Sequence, residues 1–215
     1  MALRIENLTV KRGGRTIVAG LSLEVQRGRA ALLTGPNGAG KTTLIRAIAG
    51  LLPVSDGRIA LDDAGGEGEL GVGERAHYVG HLNGIKPALT VVENARFWGR
   101  YLGGTDKDVA AALAQFRLDD LALIRAGYLS AGQKRRLGLC RLLVAPRPLW
   151  LLDEPAVSLD AASQGLLAEA VKLHLASGGL VVAATHQALD FAPMDEHRMR
   201  PADAAVRAAD AMVSL

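Results

Sequence analysis

Gly35-Pro36-Asn37-Gly38-Ala39-Gly40-Lys41-Thr42-Thr43 fits the spacing G-x-x-x-x-G-K-[ST]. Its glycines let the backbone wrap closely enough for N–H groups to meet phosphate oxygens. Lys41 adds a point charge, and the Thr42 hydroxyl is a hard oxygen ligand suited to Mg²⁺. The alternative is a glycine-rich turn that only caps a helix, and context decides between them: an apolar run at 29–34 leads in, and a helical pattern at 41–51 follows. A second apolar run, Leu149-Trp150-Leu151-Leu152, ends in Asp153-Glu154-Pro155. Phosphoryl transfer to water uses two acidic roles beside a phosphate cradle, one holding the Mg²⁺ shell and one orienting or deprotonating the attacking water. Asp153 suits the first and Glu154 the second; without the cradle upstream the pair would be an ordinary turn or helix cap.

The elements that must position these groups follow from periodicity. Residues 3–10 and 16–25 alternate apolar and polar side chains around Gly13-Gly14, which predicts an antiparallel hairpin. The runs at 29–34, 149–152 and 180–184 do not alternate, as expected of strands buried on both faces. With shorter strands at 58–61 and 76–80 and helices at 41–51 and about 160–176, they predict an α/β fold with a mainly parallel core sheet. Residues 62–74 are glycine-rich and read as a mobile surface loop. Helical spacing at 90–103, 109–116 and 132–144 predicts an α-helical insert in the β/α framework. The alanine-rich end of the chain, behind Pro201, carries no chemical signal.

Composition excludes several classes. The chain has 215 residues, 49% of them hydrophobic and 22% charged, which suits one compact domain and excludes a largely disordered protein. Aromatics are 4%, and 25 Lys+Arg face 22 Asp+Glu spread along the chain, so neither a base-stacking surface nor a basic stripe for nucleic acid is expected. The lone Cys140 cannot form an intramolecular disulfide and fits a reducing compartment. Arg4 and Glu6 stand where a secretory signal needs apolar residues, and no run nears the ~18 apolar residues of a membrane span. A cytoplasmic chain that meets a membrane only through a partner is expected.

Leu129-Ser130-Ala131-Gly132-Gln133 opens the helix at 132–144. Taken alone, Ser130 is a good helix N-cap. Standing between the phosphate cradle and the acidic strand, the segment resembles the signature of ABC-type ATPases, and the resemblance extends over nearly the whole chain. It implies a P-loop NTPase nucleotide-binding domain spanning 1–215, with a RecA-like core and β part over about 1–83 and 147–215 and a helical subdomain over about 84–146. It also implies that two copies pair head to tail, with Ser130, Gly132 and Gln133 of each closing on the ATP of the other. Ser158-Leu159-Asp160 resembles the family's D-loop, and His186 falls where its switch histidine meets the γ-phosphate, although a histidine at a strand end is also a common local hydrogen-bonding residue.

Two departures from the family pattern stand out. Arg12 occupies the place of an adenine-stacking aromatic, where a guanidinium either stacks on a flat ring or stays solvated. His81, after Tyr78-Val79-Gly80, replaces the Q-loop glutamine; contact with the metal shell or the catalytic water remains open to it, with a pH sensitivity glutamine lacks. The stretch 79–87, continuing through Leu89-Thr90 and Glu93-Asn94, resembles the haem-exporter ATP-binding subunits of cytochrome c maturation systems, and Arg135-Arg136, Trp150 and Thr185-His186-Gln187 agree with it. That resemblance implies ATP and Mg²⁺ as cofactors and a location on the cytoplasmic face of the inner membrane. It implies as partners a second copy of the chain, an integral membrane transporter subunit and haem-handling membrane proteins. The insert, chiefly 84–101, would form the docking groove, with Phe97 and Tyr101 either as contacts or as core. No C-x-x-C-H is present, and His77, His81, His174, His186 and His197 show no ligand spacing, so haem binding by the chain itself is not indicated. Whether haem is moved or a haem-loaded chaperone released stays open, as does another cargo. Soluble ABC ATPases of translation or repair need a second nucleotide domain or long coiled coils, and the span from Lys41 to Ser130 leaves no room for them.

Overall fold

The computed structural model describes residues 1–62, 70–186 and 193–202. The N-terminal alternation becomes β1 (Ala2–Arg12) and β2 (Arg15–Gln26), paired antiparallel. Gly13 and Gly14 join them at φ 53° and 76°, the two positive values that a type I′ turn requires. Leu3, Ile5, Leu8 and Val10 point inward from β1. The short strand expected at 58–61 is longer, β4 (Asp56–Asp62), and pairs antiparallel with the other edge of β1, giving a three-stranded sheet in the order β2-β1-β4.

The core sheet is parallel throughout its five strands: β3 (Ala30–Thr34), β5 (Ala76–Val79), β6 (Leu149–Asp153), β7 (Leu180–Ala184) and β8 (Met194–Arg198), in the order β5-β6-β7-β3-β8. Every residue of β6 and β7 is buried, because each strand serves two layers at once. Leu149, Leu151, Leu180 and Val182 pack with the antiparallel sheet and with Leu44 and Ile45 of α1 (Lys41–Ile48). Trp150, Leu152, Val181 and Ala183 face the opposite way, onto the helical layer. That layer holds α2 (Val91–Leu102), α3 (Asp106–Gln115), α4 (Ala131–Leu139) and α5 (Ala161–Ala176), with Phe116 and Leu139 fully enclosed. Each fully buried aliphatic or aromatic side chain contributes about 1.5–3 kcal/mol, so the two layers hold the sheet from both faces.

Four local differences from the sequence expectations have physical causes. α1 ends at Ile48 because Gly50 turns into the left-handed region at φ 71°. The helix expected over 132–144 is α4 as far as Leu139 and then a tighter 3₁₀ turn, Cys140–Leu142, whose i→i+3 bonds close the helix end. The end of the expected loop at 62–74 is a 3₁₀ turn, Val72–Arg75, while residues 63–69 lie outside the described residues. β8 was not foreseen: Met194-Asp195-Glu196-His197-Arg198 has no apolar pattern, since it is an edge strand fastened by polar groups. The Arg29 guanidinium donates to both Asp195 carboxylate oxygens at 2.7 and 2.6 Å, and the Thr34 hydroxyl donates to Glu196 at 2.8 Å. The alanine-rich end from residue 203, and Gln187, lie outside the described residues. Among the described residues no helix is long and apolar enough to cross a membrane.

Candidate active site

The carboxyl ends of β3 and β6, with the loop behind β7, deliver their following residues to one side of the sheet, where open α/β sheets bind ligands. A cleft of about 640 Å³ opens there, lined by Ile17, residues 37–43, His81, Asp153, Glu154, Val157 and His186. The predicted cradle, both acids and both histidines therefore meet in one place. Gly35 and Pro36 form the entry to the loop behind Thr34 and are reached by Lys41, whose ammonium donates to their carbonyls at 2.7 and 3.1 Å. The lysine charge is thereby held inside the loop.

The loop needs its glycines. Gly40 has φ 92° and a Cβ there would lie 2.9 Å from Ile17 O; Gly35 has φ 128° and a Cβ would come within 2.4 Å of Met199 O. Gly40 is the N-cap of α1 and contributes no side-chain cap, and no acidic residue stands in the first turn. The free N–H groups and positive end of this helix thus face the cleft without an acceptor of their own, as an anion site requires.

Thr42 and Asp153 are joined across the cleft, the Thr42 hydroxyl donating to Asp153 Oδ1 at 2.9 Å. Burial raises the Asp153 carboxyl above the ordinary aspartate range, opposed by that hydrogen bond and by Arg46 and His81. Both groups are hard oxygen donors and fit Mg²⁺. Glu154 has left-handed backbone, φ 51°, and its N–H donates to Ala184 O at 2.8 Å, tying it to the end of β7. Its side chain meets His186, whose backbone N–H lies 3.4 Å from Glu154 Oε2 and whose Nε2 lies 3.7 Å from Oε1.

Ser130, Gly132 and Gln133 are not in this cleft. They form the first turn of α4, where the Ser130 hydroxyl accepts from the Gln133 N–H and the Gln133 side-chain Oε1 accepts from the Ser130 N–H, a reciprocal cap. Asp160 likewise caps α5 by accepting from the Ser163 N–H at 2.8 Å, and Ser158 holds a positive φ of 69° between Glu154 and that cap. Arg12 stands exposed at the end of β1, opposite Arg15, and does not line the cleft. Ile17, from β2, does. Ile17 and Val157 were missed because single apolar residues on a strand and a turn carry no motif. Phe97 and Tyr101 are exposed, 43% and 74%, so of the two readings offered for them the core one is excluded.

A phosphate loop with a paired strand-end carboxylate and hydroxyl beside it defines an ATP-binding ATPase of the P-loop type. Residues 18–157 match the ABC transporter family, and the chain belongs to it. It is 50% identical over 192 residues to the "cytochrome c biogenesis ATP-binding export protein CcmA" of Nitrobacter winogradskyi, covering 89% of this chain and 95% of that one. The protein of the same name from Ruegeria pomeroyi is 47% identical over 209 residues, with 94% and 95% covered. Among solved structures, an ATP-binding subunit of an ABC transporter superposes with TM-score 0.78 at 22% identity over 98% of this chain and 94% of the other, which shows the shared fold.

Proposed function

We propose that this chain is the ATP-hydrolysing subunit of a haem-handling export system in c-type cytochrome biogenesis, working as a homodimer on the cytoplasmic face of the inner membrane with an integral membrane partner. The observation that carries the catalytic part is the convergence of Lys41, Thr42, His81, Asp153, Glu154 and His186 on one cleft. The cargo rests on the half-identity to proteins whose names state cytochrome c biogenesis and export.

ATP phosphates would lie against the backbone N–H groups of residues 35–43 and the first turn of α1, with Lys41 released from its own loop carbonyls toward them. Thr42 and Asp153 would hold Mg²⁺, which when bound neutralises charge on the phosphate oxygens. Glu154 orients the attacking water and takes its proton, and His186, beside Glu154, meets the γ-phosphate. His81 stands near Asp153 and contributes from the opposite segment. The first turn of α4, with Ser130, Gly132 and Gln133, lies outside this chain's own cleft and would meet the partner copy's nucleotide. The groove along α2 between Leu89, Glu93, Arg96, Phe97, Arg100 and Tyr101 suits a membrane partner's helix, with Trp98 buttressing Phe97 and Tyr101 edge-on at 5.5 and 6.0 Å.

The test pairs nucleotide binding with phosphate release. Lys41→Ala is expected to lose both, whereas Glu154→Gln keeps binding and releases phosphate roughly 100-fold more slowly or worse. Undiminished release from Glu154→Gln would remove the glutamate from its role. For the cargo, c-type cytochromes should vanish from haem-stained extracts of a deletion strain and return with the wild-type gene but not with Lys41→Ala; their persistence in the deletion strain would point to another cargo.

A further inference from the structure

Arg135, in the second turn of α4, is 3% exposed, yet among the described residues no carboxylate bonds to it. Its four hydrogen bonds all go to neutral oxygens. Nε donates to Pro155 O at 2.9 Å and Nη2 to Glu154 O at 2.7 Å, while Nη1 donates to Gly80 O at 2.8 Å and to Asn83 Oδ1 at 3.0 Å. Burying a guanidinium is costly unless its donors are satisfied, and burial lowers its pKa, with the charges of Asp153 and Glu154 opposing that shift.

Its partners fall into two groups with the same destination. Residues 154–155 carry Glu154, whose left-handed backbone is one that a glutamate keeps only when its surroundings hold it. The Glu154 N–H is tied to β7 through Ala184 O, and its carbonyl is tied to Arg135. Gly80 and Asn83 bracket His81, the other residue offered to the cleft from this side. Arg141 reinforces that loop by donating to the carbonyls of Tyr78 and Asn83, and Trp98 donates to Gly84 O, but neither of them bonds to 154–155.

We propose that Arg135 is a positioning residue for hydrolysis: one guanidinium sets the backbone of Glu154 and the His81 loop in register with the helix that begins at Ser130. A planar fork is needed, because Nε and Nη2 serve one segment and Nη1 the other; an ammonium cannot span both. Hydrolysis then depends on how α4 is seated, so movement at the first turn of that helix is felt at Glu154. The inference deepens the proposed function and rests on Glu154 as the base.

Arg135→Lys, in the full chain, tests it by fluorescent ATP-analogue binding, steady-state hydrolysis and thermal melting. Binding and KM should stay within about threefold of wild type while kcat falls about 10- to 100-fold, the cost of a misplaced catalytic group. Arg141→Lys, whose guanidinium lies over Trp98 and bonds to Tyr78 and Asn83 but not to 154–155, should lose less. In a Glu154→Gln background there is no carboxylate left to position, so adding Arg135→Lys should change the residual rate by less than about twofold. Wild-type kcat in Arg135→Lys, or losses that multiply in the double variant, would overturn the proposal. If Arg135→Lys gives no cooperative melt, Asn83→Ala carries the test: it deletes one acceptor at a half-buried position and should lower kcat several-fold at constant KM, and an unchanged kcat overturns the role. Should Glu154→Gln alone hydrolyse at the wild-type rate, it is the base assignment that fails; a wild-type Arg135→Lys beside an inactive Glu154→Gln removes the positioning role alone.

Discussion

Three glycines of the phosphate loop have positive φ, but they differ in what surrounds them, and that difference orders the effect of adding a methyl group. At Gly38, φ 82°, a Cβ meets nothing within 4 Å, so alanine adds backbone strain alone. Gly40 adds to its φ of 92° an approach of 2.9 Å to Ile17 O and 3.1 Å to Val18, so alanine must also push the loop off β2. At Gly35 the obstacle is Met199 O, a backbone atom held by the Met199 N–H bond to Thr34 O. Strain alone costs of order 1–3 kcal/mol. Gly38→Ala is therefore expected to weaken ATP binding least, and Gly35→Ala and Gly40→Ala more, by about tenfold for each added 1.4 kcal/mol. Titration of a fluorescent ATP analogue ranks the three; if Gly38→Ala proved the most damaging, close backbone approach would not be what the glycines serve.

At the scale of elements, α4 shows one residue with two jobs. Ser130 caps the helix, an interaction whose loss costs about 1 kcal/mol, and its hydroxyl is also the group proposed to reach the other copy's nucleotide. Asp separates them, since aspartate caps as well as serine but brings a negative charge to a place meant for phosphate. Ser130→Asp is expected to melt within a few degrees of wild type and to bind ATP normally in its own cleft. ATP-dependent dimerisation, read by size-exclusion chromatography in a Glu154→Gln background, should be lost; an intact dimer would confine Ser130 to capping. The same elements show what a sequence carries openly. Strands buried on both faces, the I′ hairpin and the helix starts at Thr90 and Ser130 are written in local patterns of apolar run, glycine pair and capping residue, whereas α3 starts behind Thr105, ahead of the apolar spacing read at 109–116. β8 is not, because an edge strand held by Arg29, Asp195 and Glu196 has the composition of a loop. The site divides likewise: Lys41, Asp153 and Glu154 lie in motifs, His81 and His186 follow from family order, Ile17 is brought to the cleft only by folding, and Arg135 and Met199 reach its loops from behind, from distant segments.

Across the whole molecule, one buried histidine, His77, and one half-buried histidine, His174, lie at the amino ends of the core strands, away from the cleft. His77 of β5 is 2% exposed, with Nε2 2.8 Å from Ala145 O; His174 of α5 lies flat on Trp150, ring centroids 4.0 Å apart, with Nε2 3.2 Å from Leu180 O. Burial lowers both pKa values to about 4, against the hydrogen bond to Ala145 O at His77 and those to Leu180 and Pro148 at His174, and at His77 the charges of Arg147 and Arg141 add to the lowering. The unfolded chain protonates its histidines near pH 6.5, so between about pH 6.5 and 4 it binds more protons than the folded one, and stability falls as the pH drops. The stabilising contribution is complete above that window. By pH 5 the linkage amounts to about 2 kcal/mol for each histidine, a large share of the ~5–15 kcal/mol that holds a domain folded. Urea unfolding at pH 7.5, 6 and 5 should show a steep loss, and His77→Gln, whose amide can still donate to Ala145 O, should flatten it. A wild-type midpoint constant from pH 7.5 to 5 would mean that water reaches these rings and that the strand ends are looser than their burial indicates.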